Sequence, residues 1–170
     1  MDAERMSERL AEGGRLLRAH LEAIDAEEAI WRPPGGGWTV LEIAGHLFDE
    51  EREDFRARLD LLLHRPGEPW PGIDPEKWVT ERRYAERDLG ATLEAFLEER
   101  RRSVDWLHSL RSPDWSRVHV RPNGTQLSAG DLLASWIAHD VLHLRQLVRR
   151  RFEYGQALAS PYATEYAGKW

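Results

Sequence analysis

The 170-residue chain contains no cysteine. That absence excludes disulfides, thiolate nucleophiles and cysteine-ligated zinc or iron–sulfur centres together. Lysine is nearly missing as well: Lys77 and Lys169 are the only two among 24 lysines and arginines. The bias fits genome composition or ion-pair networks and assigns no function. No apolar run approaches the roughly 18–20 residues that cross a bilayer, so no membrane span is expected. Met1-Asp2-Ala3-Glu4-Arg5 is charged from the outset and lacks an apolar core. It does not read as a secretory signal, and a cytoplasmic protein is expected. A net charge of -6 leaves no basic footprint for nucleic acid.

What is present fits a globular protein, with 41% hydrophobic and 32% charged residues in a length that suits a single domain over 1–170. Four segments carry helical periodicity. The first runs from about Ala3 to Ile30 on the stripe Met6, Leu10, Leu17, Leu21 and Ile24. It stops at Pro33-Pro34-Gly35-Gly36-Gly37, which cannot continue a helix. The second opens with the Thr39/Glu42 capping box and extends to about Leu63 through Ile43, Leu47, Phe55, Leu59 and Leu62. His64 to Trp78 carries four prolines and reads as a semi-extended loop.

The third helix begins near Asp88 and ends at Arg111-Ser112-Pro113. A short β-prone run, Arg117-Val118-His119-Val120, precedes the turn residues Pro122-Asn123-Gly124, so a brief hairpin is expected. The fourth helix starts at Ser128, capped with Asp131, and reaches about Phe152. Arg149-Arg150-Arg151 near its end would suit the negative pole of the helix dipole. The expected fold is all-α, an antiparallel four-helix bundle with long proline-rich connections.

The chemistry concentrates in histidine. His139-Asp140-Val141-Leu142-His143 places two imidazoles one turn apart on one face, inside the apolar stripe of Leu132, Trp136 and Leu147. Burying neutral imidazoles requires a partner for each ring nitrogen, and one metal ion serves both. His46 lies in the uncharged stretch Ile43-Ala44-Gly45-His46-Leu47-Phe48. Three histidines from two facing helices would leave open coordination positions, the mark of a catalytic site. Gly45 allows either a close helix approach or room for a ligand. A metallopeptidase reading lacks the glutamate after the first histidine, where Asp140 stands. A di-iron reading lacks Glu-x-x-His pairs.

The stretches Trp31-Arg32-Pro33, Trp38-Thr39-Val40-Leu41-Glu42-Ile43-Ala44-Gly45-His46-Leu47 and Ala138-His139-Asp140-Val141-Leu142-His143-Leu144-Arg145-Gln146-Leu147 resemble the DinB/YfiT-like family. The resemblance spans nearly the whole chain. It implies a four-helix bundle with a divalent metal, zinc or nickel among others, held by His46, His139 and His143, in a protein that is often a homodimer. Family members of known activity include thiol S-transferases and a thiol-dependent maleylpyruvate isomerase, which use low-molecular-weight thiols such as bacillithiol or mycothiol.

The expected function is therefore metal-dependent transfer of such a thiol to an electrophilic small molecule. The alternatives are a metal-dependent hydrolase, or a non-enzymatic stress-associated binding or dimerisation bundle with a structural metal. Without cysteine, the thiol must come from outside the chain. Glu50, one turn after His46, is a candidate base, or else one residue of a solvated acidic run over 49–54. Trp136 and Arg145 are candidate pocket residues, Arg145 with Gln146 for an anionic substrate. Asp140 is expected to pair with an arginine. His20, His64, His108 and His119 read as solvated, with His119 the reserve ligand.

Overall fold

The computed structural model describes residues 2–121, 123–168 and 170. Helix α1, Ala3–Leu21, starts where the Asp2 carboxylate accepts the Arg5 amide at 3.1 Å. It ends nine residues before the expected Ile30, because Asp25 caps a separate short helix. That carboxylate accepts the amides of Glu27 and Glu28, opening α2 over Ala26–Ile30. A side chain that satisfies these amides competes with helix continuation and wins here.

Helix α3, Val40–Glu50, begins with both halves of the Thr39/Glu42 box formed. It does not run on unchanged. Glu51–Phe55 forms a π-helical segment before α4, Arg56–His64. The expected proline-rich loop contains α5, Pro75–Glu81, with Asp74 as its cap and Pro75 preset in its first turn, and then a 3-10 turn at Tyr84–Glu86. Helix α6 spans Leu89–Ser109.

Strands β1, Val118–Val120, and β2, Gln126–Ser128, pair antiparallel with Val118 opposite Ser128. Pro122 of the expected turn lies outside the described residues. Helix α7, Ala129–Ala159, runs beyond the expected Phe152. The three arginines are therefore mid-helix, not at its negative pole. Arg149 and Arg150 pair with Glu153 one turn on, and Arg151 lies 3.8 Å from Glu28.

Two apolar clusters show how the bundle is threaded. One joins Leu17, Leu21, Ile43, Leu47, Phe96 and Leu147, and the other joins Leu10, Phe55, Leu59, Leu107, Leu133 and Trp136. Helix α1 thus runs from the second cluster to the first, α3–α4 runs back, α6 runs in the same direction as α3–α4, and α7 returns. Helix α1 packs on α6 and α7, and α3–α4 also packs on α6 and α7. Helix α1 accordingly sits across one diagonal from α3–α4, and α6 sits across the other from α7, whereas α3–α4 and α6 are neighbours. The 65–88 connection is long because it must climb the whole bundle from the end of α4 to the start of α6.

Candidate metal centre

A polar layer separates the two apolar clusters, and every long helix contributes to it. Arg100 of α6, 4% exposed, donates from Nη2 to Glu51 Oε2 at 2.8 Å and to Asp140 Oδ1 at 2.8 Å. Its Nη1 also reaches the Leu10 carbonyl of α1 at 2.8 Å. Trp136 Nε1 donates to Glu51 at 2.9 Å. Burial alone would lower the arginine pKa, but the two carboxylates outweigh it and raise it. A buried charge must be paired, and here the pairing is fourfold. Gly13 makes room for it: a Cβ there would clash with the Asp140 carboxylate.

Against this layer lie the three histidines. His46 comes from α3, and His139 and His143 come from successive turns of α7. Their Nε2 atoms form a triangle with sides of 3.2 Å for His46–His139, 3.1 Å for His46–His143 and 3.0 Å for His139–His143. His143 Nδ1 lies 2.9 Å from Gln146 Oε1, an acceptor, so that nitrogen carries the proton and Nε2 keeps its lone pair. Burial pushes the imidazole pKa values down, to about 3 for His46 and about 2 for His139. His143 is also lowered by burial, against the opposing bond to Gln146. Three neutral rings bring their Nε2 atoms to one point, where a cation would accept a lone pair from each. Nitrogens bound to one ion at about 2.1 Å stand roughly 3.0–3.4 Å apart, so the residues fit a divalent metal.

Gly45 is explained by close approach and not by ligand room. A Cβ there would meet the Tyr84 ring at 2.8 Å, and the Tyr84 hydroxyl donates to Asp49 at 2.7 Å. The acidic run over 49–54 is not a solvated face: Asp49, Glu50, Glu51 and Asp54 are all buried. Glu50 and Asp54 are neighbouring buried carboxyl groups one helical turn apart. Burial, reinforced by Asp54, pushes Glu50 up to about 8. Arg58 sits 2.8 Å from Asp54 and opposes the effect of burial, which still raises the Asp54 pKa.

A cleft of about 550 Å³ opens over His46 and His143, with Trp38, Pro75, Glu76 and Gln146 in its walls. The Trp38 and His46 rings are 4.9 Å apart between centroids. Neither Trp136 nor Arg145 lines this cleft. Trp136 is fully buried, stacked on Phe55 at 5.7 Å, and Phe55 in turn packs on His139. Arg145 is exposed on the outer face of α7. Glu50 does not line it either. His119, the reserve ligand, stacks on Trp70 at 3.8 Å within the hairpin, apart from the other three. His108 is exposed, as expected, with Nε2 2.7 Å from Ser7 Oγ, whereas His20 is half-buried and so not simply solvated.

A family model for the DinB superfamily matches residues 9–147. The chain belongs to the DinB superfamily. Its fold is similar to that of YfiT from Bacillus subtilis, described as a probable metal-dependent hydrolase with an unusual four-helix bundle topology. The two share 19% identity with a TM-score of 0.79, over 90% of this chain and 87% of that one. No curated protein matches at the level of sequence. Placed in this superfamily, the chain still shows groups that its histidine spacing does not announce. Nothing in the sequence marks Arg100, and Glu51 stands there as one of the acidic run over 49–54; only their meeting with Asp140 sets them apart. Gln146 carried a signal, since residue i+3 from His143 shares its helix face.

Proposed function

We propose that the protein is a metal-dependent enzyme that transfers a low-molecular-weight thiol to an electrophilic small molecule in the cleft over His46 and His143. The observation that carries this reading is the convergence of three neutral imidazole nitrogens beside an open cleft. His46, His139 and His143 would hold zinc or nickel, for which imidazole is a suitable ligand. When bound, such an ion supplies Lewis acidity and lowers the pKa of a thiol or water beside it.

The rest falls to the chain's own groups. Gln146 fixes the tautomer of His143, and Phe55 and Trp136 wall the inner side from water. Trp38 and Pro75 offer apolar surface to the substrate. Glu50 is assigned the holding of a proton near the ligand helix, and it acts as a positioning residue because it does not reach the cleft. A hydrolase in which water replaces the thiol is the second reading, supported by the description of YfiT. A homodimer built on α7 is also proposed, since Val141, Leu142 and Val148 stand 62%, 51% and 39% exposed on its outer face.

Elemental analysis of protein purified without chelator tests the core of this reading. About one divalent ion per chain is expected, lost in H139A. A panel of thiols with a chromogenic electrophile then reads the reaction, with conjugation that follows metal content. Protein that neither retains nor rebinds metal would overturn the proposal. Metal held with hydrolysis but no conjugation would select the second reading.

A further inference from the structure

Gln146 lines the cleft, and only one end of its amide is used. Its Oε1 stands 2.9 Å from His143 Nδ1, the ring nitrogen that is not part of the Nε2 triangle. The amide nitrogen makes no hydrogen bond among the described residues. It is not a buried orphan either, so it is open to the cleft. Gly37 and Glu76 line the same cleft and carry acceptors, yet neither takes these hydrogens; the Gly37 carbonyl accepts from Arg32 Nη1 at 2.6 Å. The amide is also held against turning over. An N–H on His143 Nδ1 can be met by the amide oxygen and not by its NH2 group. An ion on Nε2 would keep the ring proton on Nδ1 and so fix the oxygen towards His143.

We infer that Gln146 Nε2 is the donor that holds the substrate, through a carbonyl-type oxygen of the electrophile. The inference rests on the reading of the cleft as a substrate site. It narrows that reading to electrophiles with an oxygen acceptor beside the reacting carbon, such as an aldehyde, ketone, ester or enone. The amide would then serve two ends: its oxygen orients His143, and its nitrogen orients the substrate. Helix spacing makes the double role possible, because residues 143 and 146 share a face of α7. Trp38 and Pro75 supply apolar wall in the same cleft. A ligand that covers the amide nitrogen without an acceptor strips it of water and returns nothing, so an alkyl halide of similar shape is disfavoured.

Two probes of matching shape isolate the oxygen: 4′-fluoroacetophenone, and 1-ethyl-4-fluorobenzene, which lacks an acceptor. Their binding is measured by fluorine NMR to wild type, Q146E and Q146L, each metal-free and after incubation with zinc. The wild type is expected to prefer the ketone by about three- to tenfold, the worth of one hydrogen bond. Q146E separates the two ends of the amide, since a carboxylate still accepts from His143 Nδ1 but donates nothing. It should keep zinc affinity and lose the ketone preference. Q146L should lose the preference and also bind zinc about tenfold or more weakly. A residue that only supported His143 would leave the preference intact in Q146E. That result, or a wild type without preference, would overturn the inference. Zinc uptake on the same samples keeps the two claims apart. A preference lost in Q146E, in a protein that takes up no metal, defeats the enzyme reading and leaves the donor standing. Zinc uptake with a preference that Q146E retains defeats the donor alone.

Discussion

Glu50 shows how burial changes what one carboxyl does. Its pKa is pushed from 4.5 to about 8 by burial and by Asp54, so the folded protein holds a proton that the unfolded chain releases. Stability from this group is complete below about pH 4.5 and falls as pH rises through 8. The buried histidines slope the other way. Their folded pKa values lie far below 6.5, so the unfolded chain takes up protons that the folded one refuses, and stability falls as pH drops below about 6.5. Urea unfolding of metal-free protein from pH 5 to 9 should show both trends. E50Q, near-isosteric with the protonated acid, should remove the alkaline decline alone, and an unchanged decline would refute the assignment of that proton to Glu50. Gly45 offers a second test. G45A forces a methyl group into the Tyr84 ring, so a loss of about 1–3 kcal/mol is expected in the same assay. A neutral substitution would show that the turn at Tyr84 is free to move.

At the scale of the element, the π-helical segment decides which face of the long second helix is buried. The apolar positions before it, Val40, Ile43, Ala44 and Leu47, keep α-helical spacing, and so do Leu59, Leu62 and Leu63 after it. The two sets are out of phase by one residue: Leu47 to Phe55 is eight positions, where seven would continue the stripe. The surplus residue is absorbed as a π-turn, which brings Glu50, Glu51, Asp54 and Phe55 all inward. That eight-residue gap was readable, but an unbroken run of charges across 49–54 also fits a solvated face, and the pattern alone does not choose. Deleting exposed Arg52 should restore a continuous α-helix with both stripes in register. Far-UV circular dichroism should then show a helical, cooperatively melting protein. Inserting an alanine at the same point should rotate α4 out of the core and abolish the cooperative melt. The opposite pair of results would refute the register argument.

At the scale of the whole molecule, the three candidate ligands join segments that meet only on folding, since His46 and His139 are 93 residues apart in sequence. Metal binding should therefore stabilise the folded state by mass action. At a hundredfold excess over Kd that amounts to about 2.7 kcal/mol, or roughly 5–10 °C in Tm for a chain of this size. Differential scanning fluorimetry with zinc or nickel should show the rise in wild type and none in H139A. The exposed face of α7 makes a separate prediction: L142K should keep the cooperative melt but halve the mass seen by sedimentation, and a wild-type monomer would remove the dimer. The sequence by itself determined the four amphipathic segments, their caps and the pairing of His139 with His143, because these depend on neighbours three or four residues apart. The tertiary structure alone decided which helices lie on the diagonals and which charges are buried. It also brought Arg100 to Glu51 and Asp140, and set the distances from His46 to the other two imidazoles, a set that the sequence had named only through the family resemblance. Those outcomes depend on contacts between residues tens of positions apart, whose energies come from shared burial and leave no local spacing to read.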